Sequence, residues 1–299
     1  YYDSTEEDWK KITIQSDNEP LTSAKIHYDE VALRASGTWG KLAWQIDMNG
    51  ELTISGEGNM DGAYGNNEYP WKEYTVRSIC VKEGVKSLAY KAFSDNHELE
   101  TVILPRSLKG SSGAVFYGCE SLENVTMPAG DISESMFYDC KKLKKIDLPY
   151  GITKIGRHAF EECENLKTVI IPDTVTIIGA ASFANCTSLK NVGMPDTVTE
   201  IEQAAFSNCK SIEEIQIPSG VTDIASDAFY GCDSLRKVEI PQTLKGIGTC
   251  AFCECRNLVS VKIPKGVKEI GGKAFAECNS LRKVEISEGV QWIGSGAFY

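Results

Sequence analysis

All ten phenylalanines of this 299-residue chain fall on one register. Successive members lie 23 residues apart, except for one step of 21: Phe93, Phe116, Phe137, Phe160, Phe183, Phe206, Phe229, Phe252, Phe275 and Phe298. Eight of the eleven cysteines keep the same period: Cys119, Cys140, Cys163, Cys186, Cys209, Cys232, Cys255 and Cys278. A fixed period of this length indicates a stack of repeated units, because each unit must bury its apolar face against its neighbours.

One unit, "LKTVIIPDTVTIIGAASFANCTS", shows what each coil contains. The spacing L-x-x-V-x-I predicts a short strand with Val169 and Ile171 turned inward, and Pro172 ends it because proline cannot donate to a ladder. A second extended piece, V-x-x-I-G, follows, and Gly179 is predicted to supply the backbone freedom for a turn. The phenylalanine and cysteine after it are predicted to lie in the interior.

Stacked coils of this kind predict a repeat solenoid. Each strand pairs in parallel with its equivalents in the coils above and below, which gives a right-handed array of 23-residue coils with a parallel β-sheet on the concave face. At a strand spacing of about 4.8 Å, ten coils span roughly 45 to 50 Å. Such an array offers a large open surface.

The periodic cysteines are interpreted as packing residues. Equivalent positions stack with parallel Cα–Cβ vectors about 4.8 Å apart, which exceeds the usual Cβ separation of a disulfide. Cys250 and Cys253 lie outside the register; a metal site lacks histidines at ligand spacing, and the redox state of this pair stays open. Cys80 lies between two inward residues of the first strand, hence outward, and is the candidate reactive thiol.

At this point the repeats resemble a known family. The units "LKTVIIPDTVTIIGAASFANC", "IEEIQIPSGVTDIASDAFYGC" and "LVSVKIPKGVKEIGGKAFAEC" are similar to the BspA-like class of bacterial leucine-rich repeat. The resemblance covers residues 79–299 and implies a secreted or cell-surface protein that acts as an adhesin or interaction module, with no catalytic residues to carry over. The unit "MPAGDISESMFYDC" departs from the pattern, so the third to fourth coils are predicted to be the weakest part of the stack.

The N-terminal quarter has a different pattern. Asn49-Gly50 separates two alternating runs and predicts a β-hairpin with a two-residue primed turn. Residues 35–78 are therefore expected to form an N-terminal β-hairpin cap, with Pro70-Trp71 matching a pair common in the family. Residues 1–34 resemble the segment that closes an upstream array, and the array at 79–299 is expected to stop inside its last coil. The chain is accordingly expected to be a piece of a longer protein.

Charge and motifs exclude several function classes. A net charge of −11 would repel nucleic acid. The sequence contains no run of 18 apolar residues, so no insertion into a membrane is expected. The exposed carboxylates recur on different coils, which is typical of a solvated face, and no catalytic or phosphate-binding motif occurs. We expect a non-enzyme that needs no cofactor or metal and is a monomer.

Three functions remain open. The first is protein binding on the concave face, to a host or neighbouring-cell surface, through outward strand residues: Thr168, Ile170, Glu214, Gln216, Lys237, Glu239 and Lys262. The second is a structural spacer that presents other domains. The third is a carbohydrate-binding accessory module, in which three aromatic residues of the cap loop stack on sugars: Tyr64, Tyr69 and Trp71.

Overall fold

The computed structural model describes residues 33–63 and 68–299, and these form a stack of about ten coils. Equivalent strands pair in parallel one period apart, as Thr168 pairs with Asn191 and Ile177 with Glu200. The predicted right-handed solenoid of 23-residue coils, with parallel sheets, is confirmed. Residues 1–32, on which most of the expected upstream closing segment falls, lie outside the described residues.

The strands are numbered in chain order. The cap contains β1 (Leu33–Trp39), β2 (Leu42–Asp47) and β3 (Glu51–Gly56), with a 3-10 helix at Pro70–Glu73. The first row of strands is β5 (Ser78–Val81), β7 (Thr101–Ile103), β9 (Asn124–Thr126), β11 (Thr168–Ile170), β13 (Asn191–Gly193), β15 (Glu214–Gln216), β17 (Lys237–Glu239), β19 (Ser260–Ile263) and β21 (Lys283–Ile286). The second row is β4 (Gly58–Asn59), β6 (Val85–Leu88), β8 (Gly110–Ser111), β10 (Lys154–Ile155), β12 (Ile177–Ile178), β14 (Glu200–Ile201), β16 (Asp223–Ile224), β18 (Gly246–Ile247), β20 (Glu269–Ile270) and β22 (Trp292–Ile293).

The phenylalanines form one stacked column through the core. Neighbouring ring centroids lie 5.3 to 5.5 Å apart from Phe93 to Phe298, with nearly parallel planes. Paired strands in a sheet lie closer together, at about 4.8 Å. The coils therefore fan out on the phenylalanine side, which puts the first row of strands on the concave side.

The glycine of the Ile-Gly pair serves a different purpose from the predicted one. Gly179 lies outside the left-handed region, so it does not supply freedom for a turn. A Cβ atom on Gly179 would lie 2.6 Å from the carbonyl oxygen of Ile155 and 2.9 Å from the backbone nitrogen of Arg157, both in the preceding coil. Glycine is favoured here because two backbones approach closely.

The left-handed conformation occurs in the turn around each phenylalanine. Around Phe183, Ala181 has a φ of 51° and Asn185 a φ of 60°, values that are uncommon for residues other than glycine. The N–H groups of these three residues donate to carbonyl oxygens of the next coil at 2.8 to 2.9 Å, which holds the turn. A hydrogen bond of 3.1 Å from Ala184 N–H to Ala181 O closes it. We call the place of Ala181 turn position 1 and that of Ala184 turn position 4.

The periodic cysteines are buried and donate hydrogen bonds. The Cys209 thiol lies 3.1 Å from the carbonyl oxygen of Phe183, and the other seven make the equivalent contact at 3.1 to 3.4 Å. Burial raises the pKa of these thiols, to about 12 for Cys232. Each thiol thus fills space and also ties its coil to a phenylalanine carbonyl of the preceding coil.

The cap continues the first row of strands. β2 and β3 form the predicted hairpin, and β3 pairs in parallel with β5, aligning Leu52 with Ile79. The turn is not the predicted two-residue primed type: Gly50 has a φ of 84°, Asn49 is not left-handed, and Gly50 N–H donates to Asp47 O at 3.2 Å. A three-residue loop that ends on a left-handed glycine is the next commonest hairpin turn. β1 adds a third strand beside β2.

Aromatic side chains of the cap cover the first coil. Trp71 lies 5.7 Å from Phe93, centroid to centroid, and extends the phenylalanine column. Trp44 packs edge-on against Trp71 at 6.3 Å. Both tryptophans are buried, and the Trp71 Nε1 donates to the Ala92 carbonyl oxygen at 2.8 Å. The cap therefore buries the apolar end of the array, as the sequence predicts.

The rows of strands are interrupted at two places. The shortened unit, residues 127–140, pairs with the next coil only through the single bridge of Ile132 with Ile155, and that next coil pairs in the first row only through the single bridge of Lys145 with Thr168. A second interruption, which the sequence analysis did not predict, separates β13 from β15 and β14 from β16. β11 and β13 therefore form a separate two-stranded sheet, while β15, β17, β19 and β21 form a four-stranded one.

Candidate functional site on the concave face

The candidate site is the outward surface of the first row of strands. Side chains alternate along each strand, so Val169 is buried while Thr168 and Ile170 on either side of it are exposed. The predicted contact residues are all exposed on such strands: Thr168 and Ile170 on β11, Glu214 and Gln216 on β15, Lys237 and Glu239 on β17, and Lys262 on β19.

The structure divides these residues into two groups. Thr168 and Ile170 belong to the two-stranded sheet, and the other five belong to the four-stranded one. Within the latter, Glu214 lies beside Lys237, and the Lys237 ammonium contacts the Glu239 carboxylate at 2.6 Å. The hydrogen bond to Glu239 raises the pKa of Lys237. The charges of this half of the concave face are thus partly neutralised by one another.

Ile170 is the most exposed apolar residue of the strands, at 79%. It borders a depression of about 260 Å³, whose lining includes Ile146, Leu148 and Pro172. The depression lies where the first row is reduced to the single bridge between Lys145 and Thr168. The depression offers both room and an apolar wall for an aliphatic side chain.

Three stacked lysines that precede the strands of these coils were not predicted as site residues. Lys167 N–H donates to Lys144 O at 3.1 Å and Lys190 N–H to Lys167 O at 2.9 Å, so the three lie in consecutive coils. Lys144 is paired with Glu123 at 3.1 Å. Among the described residues, Lys167 and Lys190 have no ion-pair partner. Their 23-residue spacing in the sequence could have revealed them. The alternation of side chains along each strand selected Thr168 and its equivalents instead, which lie one residue further along the chain.

A second depression lies on the other side of the two-stranded sheet. It has a volume of about 310 Å³ and is lined by Lys190, Asn191, Glu213 and Glu214. It coincides with the interruption between β13 and β15. The concave face therefore has relief on both sides of β11 and β13.

The sugar-stacking hypothesis is wrong for two of its three residues. Tyr69 and Trp71 are each only 3% exposed, and their rings stack on one another at 5.2 Å. The Tyr69 hydroxyl also donates to the Tyr90 carbonyl oxygen at 2.9 Å. Neither ring offers a free face to a sugar, because both are part of the cap core. Tyr64 lies outside the described residues.

Other site predictions concern thiols, metals and membranes. Cys80 lies on β5 with its side chain partly exposed, between Thr53 and Ile103 of the neighbouring strands. In residues 33–63 and 68–299, no group of three or more histidine, cysteine or acidic side chains is placed to hold a metal ion. The same residues include no helix long and apolar enough to cross a membrane.

These features define the class of protein: a leucine-rich solenoid that presents an open strand face. The family comparison makes this specific. The BspA type leucine-rich repeat region matches residues 66–190 and 176–299 in six copies. Because these matches cover more than half of the chain, the protein belongs to the BspA-type leucine-rich repeat family. Proteins of this kind are generally repeat scaffolds that mediate interactions. A search among curated proteins finds no match.

Solved structures include similar folds. A leucine-rich repeat protein from Bacteroides ovatus is 24% identical, with a TM-score of 0.57 over 87% of this chain and 78% of that one. A leucine rich cell surface protein from Faecalibacterium prausnitzii is 21% identical, with a TM-score of 0.41 over 85% of this chain and 95% of that one. The first of these likenesses supports the fold alone.

Proposed function

We propose that this protein is a non-catalytic interaction module, secreted or at the bacterial cell surface, that binds a protein partner on its concave face. The partner is expected on a host or neighbouring cell. The observation that supports this function best is the exposed Ile170 beside an open depression. Lys167 precedes the same strand, and Lys190, stacked on it in the next coil, lines the second depression. The surface location rests on membership of the family.

The partner segment that fits this place is acidic and carries an apolar side chain. Burying one aliphatic side chain on Ile170 would contribute about 1.5 to 3 kcal/mol. The lysines have a different effect, because charges at the rim of an interface mainly raise the association rate and the salt dependence. They would attract an acidic segment to a chain whose net charge of −11 otherwise repels it.

The experiment compares two charge-reversed variants of the chain. The concave variant carries Ile170→Asp with Lys167→Glu and Lys190→Glu. The matched control carries Lys245→Glu and Lys268→Glu, which reverse two exposed lysines beside the second row of strands. Each immobilised protein is exposed to a solubilised surface-protein fraction of epithelial cells, after circular dichroism has shown equal folding.

A protein retained by the wild type and the control, but lost from the concave variant, supports the proposal. A second variant, Glu239→Lys with Lys262→Glu, tests whether the four-stranded half takes part. Equal retention by all variants would contradict binding on the concave face. Retention of no protein by any of them would favour the structural spacer.

A further inference from the structure

Cys250 and Cys253 occupy positions 1 and 4 of one turn. Cys250 is left-handed, with a φ of 53°, and Cys253 N–H donates to Cys250 O at 3.1 Å, so this turn is closed like its equivalents. The first and fourth Cα atoms of such a turn lie less than about 7 Å apart. A disulfide needs a Cα separation of about 4.4 to 6.8 Å. The backbone therefore places the two thiols within reach of one another.

Side chains at these two positions touch. In the equivalent turn four coils earlier, the His158 Nδ1 contacts the Glu161 carboxylate. In the turn of interest, the Cys250 side chain helps to raise the pKa of the Cys253 thiol, as a close neighbour does. The periodic cysteines differ, because each donates its thiol hydrogen to a phenylalanine carbonyl of the preceding coil; Cys255 does so to Phe229 at 3.3 Å.

The two thiols differ in access. Cys250 is partly exposed, whereas Cys253 is buried behind it. Burial raises the pKa of Cys253 to about 11, and the neighbouring Glu254 carboxylate acts in the same direction. An external reagent therefore meets Cys250 first, and Cys253 is placed to react with whatever becomes attached there.

We propose that Cys250 and Cys253 form a thiol–disulfide exchange site that small disulfides, such as oxidised glutathione, convert to a disulfide within the turn. The Cys250 thiolate attacks one sulfur of the small disulfide, which forms a mixed disulfide and releases one thiol. The Cys253 thiolate then attacks the Cys250 sulfur and releases the second thiol. The two protein thiols lose two protons and two electrons, and the small disulfide is reduced to two thiols.

The experiment uses the folded full chain with Cys80→Ser, which removes the partly exposed thiol of β5. The protein is incubated with oxidised glutathione, alkylated and digested with trypsin. The peptide 246–256 holds Cys250, Cys253 and Cys255 together. We expect this peptide to lose two hydrogen atoms and to carry one alkyl group, which fragmentation places on Cys255.

Three variants assign the roles of the thiols. Cys253→Ser should stop at the mixed disulfide on Cys250, and Cys250→Ser should form no bridge. The control Cys255→Ala should still form the bridge. A bridge that includes Cys255 would overturn the proposal. So would a peptide left unmodified under conditions in which Cys80 of the wild-type chain takes up glutathione.

Discussion

The close approach at Gly179 leads to a prediction about the sign of a mutational effect. Replacing glycine by alanine normally stabilises a protein where the backbone conformation is ordinary, by about 0.4 to 1 kcal/mol, because the unfolded chain loses freedom. Gly179 has an ordinary φ, so that contribution applies to it. At Gly179, however, the added methyl group would meet the carbonyl oxygen of Ile155 at 2.6 Å. Gly179→Ala is therefore expected to destabilise the fold.

The magnitude follows from the space that must be made. Two coils held by a backbone hydrogen bond of 3.0 Å from Gly179 N–H to Ile155 O must separate by several tenths of an ångström. Overpacking of this kind costs about 1 to 3 kcal/mol. After the unfolded-state gain is subtracted, the net loss lies between about 0 and 2.6 kcal/mol, with a central value of about 1 kcal/mol. Gly193 is the matched control, since it also has an ordinary φ but no heavy atom within 4 Å of an added Cβ. Gly193→Ala should be neutral or stabilise by up to about 1 kcal/mol.

Urea unfolding followed by circular dichroism measures both effects. The comparison uses the shift of the midpoint at constant slope, because long repeat arrays need not unfold in a single step. Opposite shifts for the two variants are expected. If Gly179→Ala is as stable as Gly193→Ala, the close approach does not explain the glycine.

Three further predictions follow from burial and capping. Phe206→Ala should lose about 3 to 5 kcal/mol of stability and Cys209→Ala only about 1 to 2, and equal losses in chemical denaturation would contradict that ranking. A thiol reagent should label Cys80 in the native protein and Cys186 only after unfolding; rapid native labelling of Cys186, detected by mass spectrometry, would contradict its burial. A chain that begins at Val76 lacks the cap and should aggregate or dimerise by light scattering where the whole chain does not, whereas removal of residues 1–34 should leave it soluble; a monodisperse Val76 chain would show that the cap is dispensable.

The period was sufficient to predict the fold, because it assigns an environment to each position of the coil. The period was not sufficient to explain Gly179. A turn that needs a left-handed residue and a close approach of two backbones would both place glycine at the same spacing. The period also did not predict the second interruption. Ala225 holds the place of the glycine in the coil of β16, which does not pair with β14 of the preceding coil. Glu202 holds the same place in the coil of β14, which nevertheless pairs with β12 of the preceding coil. Pairing depends on two adjoining coils together, so one position does not determine it.

The candidate site was predicted less completely, for reasons that differ by residue. Strand alternation correctly placed Ile170 outward, because period 2 follows directly from the strand backbone. It missed Lys167 and Lys190, which precede the strands and are exposed at their edge. Tyr69 and Trp71 were ambiguous in the sequence, since an aromatic loop suits either a sugar site or a cap core. Their burial decided in favour of the core.

The interruptions and the proposed contact surface occupy the same coils, because the loss of ladder hydrogen bonds between strands produces both. Ladder hydrogen bonds hold neighbouring strands at about 4.8 Å, while the phenylalanine column continues through both interruptions at 5.5 Å. Where the ladder is missing, the concave side opens and the column still joins the coils. The openings form the two depressions beside β11 and β13, and Ile170 lies at the edge of one of them. The surface is shaped there, whereas the regular four-stranded sheet offers paired charges on a uniform ladder, which is why we propose that a partner binds at these coils.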